Sequence, residues 1–375
     1  MMTTNLRNKM RGSLMGGAIG DALGYPVKAI NSYAGIQAKY GMKGITRMDI
    51  TRWWLDNEEL EEGKALVTDK TQMTLYTAWG LLNAHSQEDS VNSVREACIE
   101  WYLAQVGWRN TEFEQSWLRK VEGLNERRDA DYTSLLALKA AFTDEFFFSR
   151  SNGNAGMTRI APVALYAAAN GLDILKADQQ AAEIAKITHL DPLAYIAAAL
   201  ECHIIYRLAT DATPSRESLS AYIQEGMNAV KGLYAEETEA LDRLQDTVNK
   251  ALALAATCTP AAQAVESIGE GKFADEALAI ALYCSLKHFG NFEAAITAAV
   301  NHKGASKATG AITGNILGTA VGYNALPSFY THRVELEDVI MQLADALWTA
   351  PMFSQEMPES AQLQPVADNA HYVAC

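Results

Sequence analysis

Apolar residues recur three and four positions apart in segment after segment, which is the period of a helix with one buried face. Val91, Val94, Cys98 and Trp101 line one such face, and Leu336, Val339, Ile340, Leu343 and Leu347 line another near the C-terminus. Further runs with this spacing cover roughly residues 6–24, 70–85, 131–141, 158–170, 191–209, 235–256, 275–288 and 311–322. Many are rich in alanine, the residue with the highest helix propensity. The strict alternation of a half-buried strand is absent over comparable lengths, so the pattern predicts an all-α fold. Stops fall at Gly24-Tyr25-Pro26, Gly107 and Gly171; Pro192 stands at a helix start, and Pro327 follows a glycine-rich helix.

Composition changes this picture in a few places. A length of 375 residues permits several domains, yet no Pro/Gly/Ser-rich linker, low-complexity block or repeat interrupts residues 6–350. One helical domain over residues 1–353 is predicted, followed by a flexible polar tail at 354–375. With 49% apolar and 20% charged residues, the chain can bury a large core, which excludes general disorder. A net charge of −14 repels phosphate backbones and argues against nucleic acid as a partner.

Five cysteines (Cys98, Cys202, Cys258, Cys284, Cys375) show neither CxxC nor zinc-ligand spacing, and four of them sit in apolar helical runs. They read as reduced core residues in a reducing compartment. The first residues, MMTTNLRNKMRGSLMGG, lack the apolar core of a signal peptide, and no stretch reaches 18 apolar residues. The expectation is a cytoplasmic protein without a membrane partner. The stretch WWLDNEELEEG, from Trp53 to Gly63, reads either as a solvated acidic loop with one buried tryptophan or as a lid or partner contact.

Candidate chemistry gathers where small residues, hydroxyls and charges meet a predicted helix terminus, since unpaired backbone N–H groups there can hold an anion or a ligand. The segments are GGAIGDALGYPVKAI (16–30), VTDKTQMTLYTAWGLL (67–82), SNGNAGMTRIAPVALY (151–166) and AVNHKGASKATGAITGNILG (299–318). No Ser-His-Asp triad, P-loop or dinucleotide fingerprint stands in its required setting.

In this order, the segments resemble those of the ADP-ribosylglycohydrolase family. The chain keeps GDALGYPV, TD-TQMT, GNAGMTRIAP with Thr158 at the family's Met, THLDP at 188–192, and NH followed by TGAITGNILG. The resemblance covers nearly the whole chain and implies a single large orthogonal helical bundle with its site in a cleft lined by helix ends. It also implies a pair of Mg or Mn ions, held by a Glu in the first motif, Thr-Asp-Asp in the second and Asp-x-Asp-(Ser/Thr) in the last, that positions ADP-ribose and a water.

Here the pattern breaks. Lys28 stands at the Glu position, Lys70 at the second Asp of the pair, and Ala305 and Lys307 at the two Asp of the last motif; Ala308 and Lys303 replace a hydroxyl residue and a glycine. Of the implied metal ligands, Thr68 and Asp69 remain. Three carboxylates exchanged for ammonium groups shift the local charge by six units, and Ala305 removes one more negative charge. A single like-charge contact at about 4 Å costs roughly 4 kcal/mol at an effective dielectric of about 20. The expected metal pair is therefore predicted absent, leaving no metal ligand set and no cofactor.

Two readings of the lysines follow. They neutralise surviving carboxylates such as Asp69 and Asp21, or they stand in for the metals and bind the diphosphate of ADP-ribose or an acidic side chain of a partner. On the second, Lys28, Thr68, Lys70, Gly153, Asn154, Gly156, Met157, His189, Asn301, His302, Lys303, Gly304, Ser306 and Lys307 are candidate ligand-binding residues, with His189 equally readable as a capping or packing residue. Arg159 either meets phosphate or holds its loop through carbonyl bonds. The leading expectation is a pseudoenzyme binding ADP-ribose, an ADP-ribosylated protein or an ADP-ribosyltransferase, in the manner of an antagonist or immunity protein. The alternative is an active hydrolase of altered mechanism, with Asp69 or Asp21 as general base. A purely structural role is a third.

Overall fold

A computed structural model describes residues 2–50, 63–108 and 116–350. The tail at 354–375 and the acidic stretch from Trp53, apart from Gly63, lie outside the described residues, as does Cys375. Among the described residues there are seventeen helices and no strand. In chain order they are α1 (Met2–Gly24), α2 (Tyr33–Tyr40), α3 (Asp69–Leu82), α4 (Ser90–Gln105), α5 (Glu122–Asn125), α6 (Tyr132–Thr143), α7 (Ala161–Ala169), α8 (Ile174–Lys186), α9 (Pro192–Thr210), α10 (Arg216–Leu233), α11 (Thr238–Ala255), α12 (Ala261–Ile268), α13 (Ala274–Lys287), α14 (Phe292–Val300), α15 (Ser306–Val321), α16 (Ser328–Thr331) and α17 (Glu337–Thr349).

The all-α reading holds, and every helical run named from periodicity is present. The helix expected from about residue 311 begins earlier, at Ser306. Seven helices, α2, α5, α8, α10, α12, α14 and α16, have no counterpart in the periodicity reading, yet some of them carry N-terminal signals, α8 and α10 among them. Asp173 accepts from the Lys176 amide at 3.1 Å, and Ser215 forms a capping box with Ser218. One cysteine departs from expectation. Cys258 is exposed in the turn between α11, which ends at Ala255, and α12, whereas Cys98, Cys202 and Cys284 are buried.

The element that places the site is the antiparallel pair of α1 and α15. Gly12, Gly16, Gly20 and Gly24 repeat every four residues and so share one face of α1, opposite Gly318, Gly314, Gly310 and Ser306 of α15. A Cβ on Gly12, Gly16 or Gly20 would run into the carbonyl oxygen of its opposite glycine, and one on Gly24 would lie 2.5 Å from that of Ser306. Only glycine permits backbones this close. The consequence is that the C-terminal end of α1, which leads to Lys28, meets the N-terminal end of α15, which carries Lys307.

Buried apolar side chains from Met10 to Leu347 form one contiguous cluster around this pair. Helix α9 is long and apolar enough to cross a membrane by length and composition, but 83% of its apolar window is buried against neighbouring helices. It also carries the buried polar residues Glu201 and His203. The N-terminus of α3 reaches the same end of the molecule through a short extended approach. There Ala65 pairs with Val334, the Ala65 amide donates to the Arg333 carbonyl at 2.6 Å, and the Glu335 amide donates to the Ala65 carbonyl at 3.0 Å.

Candidate functional site

Thr68 caps α3, and Asp69 is the first residue of that helix, where backbone N–H groups and the helix dipole favour a carboxylate. Behind it, Asp21 of α1 is fully buried. It accepts from the Thr68 amide (2.7 Å), the Thr68 hydroxyl (2.6 Å), the Thr71 amide (3.2 Å) and the Thr71 hydroxyl (2.7 Å). Burial pushes the Asp21 carboxyl up against the opposing pull of Lys307 and these hydrogen bonds.

Asp69 is treated differently. Its Oδ1 accepts from the Lys307 ammonium at 2.7 Å, and its Oδ2 accepts from the Lys70 ammonium and the Asp131 amide, each at 3.1 Å. Burial alone would raise this carboxyl, but the two ammonium groups override it and hold it at about 2. Lys307 also pairs with Asp129, through Oδ2 at 2.7 Å and the backbone carbonyl at 2.9 Å. The other oxygen of Asp129 takes the Lys28 ammonium. Burial would lower the Lys307 ammonium, and the surrounding carboxylates of Asp69, Asp129 and Asp21 raise it instead.

Lys28, Lys70 and Lys307 therefore hold two carboxylates between them, in a line from the buried Asp69 to the partly exposed Asp129. Side-chain exposure follows that line: 2% at Asp69, 6% at Lys70, 11% at Lys307, 31% at Lys28 and 36% at Asp129. Asp129 was not among the candidates, nor were its neighbours. It adopts a left-handed backbone, φ 56°, which Asp tolerates better than most residues. Arg128 beside it is buried and pairs with Glu126 at 2.6 Å and with Glu335. Asp131 caps α6 through the Ser134 amide at 2.7 Å. In sequence this segment, NERRDADY, looks like a solvated charge run, and its one legible signal is the Asp131 cap.

The remaining candidates form a second group. Asn154 donates to the Gly271 carbonyl at 2.7 Å, and the Asn152 carbonyl accepts from the Ala274 amide at 2.9 Å, which ties the glycine-rich turn to residues 270–274. That segment in turn holds the last motif. The Glu270 carbonyl accepts from the Ala305 amide at 2.7 Å, and its carboxylate pairs with Lys303 at 3.3 Å. Gly304 packs so closely on the Glu270 backbone that no side chain fits there. Lys303 thus points to Glu270, apart from the Asp69 cluster.

Asn301 clamps Ile45, accepting from its amide at 2.8 Å and donating to its carbonyl at 2.9 Å. His302 accepts at Nδ1 from the Gly304 amide (3.1 Å), so its neutral ring carries hydrogen on Nε2, which faces the Thr309 hydroxyl at 2.9 Å. Ser306 donates to the His302 carbonyl at 3.0 Å. Burial lowers His302 to about 4, so it is neutral near pH 7. Met157 is fully buried. Gly153 and Gly156 pack against His189, where a Cβ would lie 3.6 Å and 3.1 Å from the nearest histidine atom.

Arg159 is fully buried and donates to the Ile184 carbonyl (2.9 Å) and the Thr188 hydroxyl (3.0 Å), the carbonyl-holding arrangement. The Thr188 hydroxyl then has its proton for His189 Nδ1 at 2.9 Å. Nε2 of His189 is left 3.7 Å from Asp131, which links this group to the first. Burial lowers His189 to about 4.

The family model described as ADP-ribosylglycohydrolase matches residues 2–356. The chain belongs to the ADP-ribosylglycohydrolase family. No protein of curated function matches the sequence. A solved structure titled "ADP-ribosylglycohydrolase-related protein complex" shares the fold with a TM-score of 0.59 at 20% identity, covering 93% of this chain and 100% of that one.

The donor set departs from the one that the sequence motifs imply. A pair of divalent cations needs several oxygen donors and enough carboxylates to offset its charge. Of the implied positions, Thr68 and Asp69 offer oxygen, but both oxygens of Asp69 already accept from ammonium groups and the Thr68 hydroxyl is turned to Asp21. Among the described residues, no three His, Cys, Asp or Glu side chains are grouped as metal donors. The residues present do not fit a metal pair.

Proposed function

We propose that this ADP-ribosylglycohydrolase-family chain is a binding protein for ADP-ribose carried on a protein, and does not perform metal-dependent hydrolysis. One observation carries the reading: the single acidic metal position retained from the motifs, Asp69, is occupied on both oxygens by the ammonium groups of Lys70 and Lys307. Capture without cleavage suits an antagonist that sequesters an ADP-ribosylated target or the transferase that made it, in the cytoplasm.

Two further observations count against hydrolysis without metal. A carboxyl held at about 2 is a weak base at neutral pH, and Asp69 is 2% exposed. Asp21 is enclosed by Thr68 and Thr71 and has no exposed surface for a water to meet.

The reading is tested by incubating the full chain with peptides ADP-ribosylated on arginine or serine, with Mg, with Mn and with chelator, and measuring released ADP-ribose. Calorimetry with ADP-ribose and with the modified peptides runs alongside. Expected is no release under any condition, with binding that chelator leaves unchanged. Metal-dependent release would overturn it.

A further inference from the structure

The ion-pair line ends at the surface in an arrangement that the neutralising role does not require. Asp69, buried, is already served by Lys70 and Lys307. Asp129 is more than a third exposed and could be solvated by water, yet it draws both Lys28 and Lys307. Lys28 also lies over the Tyr25 ring, whose centroid is 5.2 Å from the ammonium. Two ammonium groups thus converge on the two oxygens of one half-exposed acidic group.

The flanks of that group are fixed independently. Arg128 is anchored on Glu126 and Glu335, and the Asp131 side chain caps α6. The Asp129 side chain can therefore swing outward into solvent without dismantling the segment. A phosphate group presents three acceptor oxygens and up to two charges to a lysine pair, more than one carboxylate offers.

We propose that Lys28 and Lys307 form a recognition position for a phosphate-type anion, which Asp129 fills from within the chain and a ligand enters by displacing Asp129. This rests on reading the site as one for binding, and it names the ligand chemistry as a phosphate or diphosphate group. Asp129 is then a built-in competitor that sets the affinity threshold.

The test is calorimetric titration of the full chain with pyrophosphate, and separately with ADP-ribose, in chelator at constant ionic strength. Wild type is compared with Asp129→Asn, Lys28→Met and the double variant. Asn keeps the size of Asp and accepts the left-handed backbone, so only the charge is removed. Asp129→Asn is expected to bind pyrophosphate about tenfold tighter or more, because an anion next to the ligand is gone. Lys28→Met is expected to cancel that gain.

Equal or weaker binding by a folded Asp129→Asn, checked by its thermal unfolding, overturns the proposal. Should that variant not fold, Lys28→Met decides alone, and unchanged pyrophosphate affinity overturns it. A matching gain with ADP-ribose identifies a nucleotide diphosphate as the source of the anion, and a gain with pyrophosphate alone identifies free phosphate compounds. Metal-dependent turnover in the peptide assay would remove the preceding functional reading and leave this chelated titration to stand or fall by itself.

Discussion

At the scale of the residue, Lys307 links the inner and outer parts of the site. It joins α15 to Asp69 on α3 and to Asp129 before α6, so one ammonium cross-links three segments of the chain. Removing one partner of a buried ion pair leaves a charge without compensation, which costs more than the pair's net contribution. Lys307→Met is thus expected to destabilise the fold by about 3–5 kcal/mol, read from urea unfolding at pH 7. The sign of the pH dependence follows from the direction of the shift. Asp69 is held at about 2, below its ordinary value of about 3.9, so its contribution is complete above the unfolded value and is lost as pH falls through the folded one. Asp129 is shifted down too, by Lys307 and Lys28 against the opposing effect of burial. The gap between wild type and Lys307→Met should therefore be constant from about pH 5 to about pH 9, below the range in which lysine itself titrates, and close as pH approaches 2. A gap that persists at pH 2 would mean that Lys307 acts through packing.

At the scale of the element, the close pair of α1 and α15 makes two opposite glycine predictions. Gly16→Val puts a branched side chain where the Gly314 carbonyl already lies, and the two helices must part, moving Lys28 away from Lys307. A loss of about 3 kcal/mol or more is expected from such overpacking. Gly232 in α10 has no atom near its Cβ direction and a helical φ, so Gly232→Ala should stabilise by about 0.5–1 kcal/mol through lower unfolded-state entropy. Thermal unfolding of both variants checks the contrast, and equal effects would remove the close-contact account. This pair also shows where the sequence was legible. The helices could be read from apolar spacing, and the lysines from the motif residues flanking them, since GDALGYPV and TD-TQMT fix where carboxylates are expected. Asp129 was not legible, because its place depends on a positive φ and on Arg128 meeting Glu335, 207 positions later. Cys258 was misplaced because α11 ends at Ala255 and the chain turns before α12, although the alanine-rich composition resumes at Ala261.

At the scale of the whole molecule, the site draws one segment from near each end of the chain and others from between. Any return of metal binding must satisfy all of them at once. Lys28→Glu, Lys70→Asp, Ala305→Asp and Lys307→Asp restore the implied carboxylates, while Lys303→Gly and Ala308→Thr restore the neighbouring glycine and hydroxyl. Without metal this sixfold variant crowds its new carboxylates against Asp69, Asp21 and Asp129, and with no ammonium left among them it should be less stable than the parent. Divalent cations would reverse that. Manganese should raise the unfolding temperature of the variant and leave the wild type unchanged, because a ligand that binds only the folded state stabilises it by mass action. The decisive comparison is the manganese-dependent shift in unfolding temperature together with a direct titration of free manganese. A shift in the variant alone would show that the glycine-packed helices and the α3 terminus retain the family's geometry and that side chains alone changed the chemistry. No shift in a folded variant would place the divergence in the loops, above all in residues 126–131, where Asp129 now stands between two lysines.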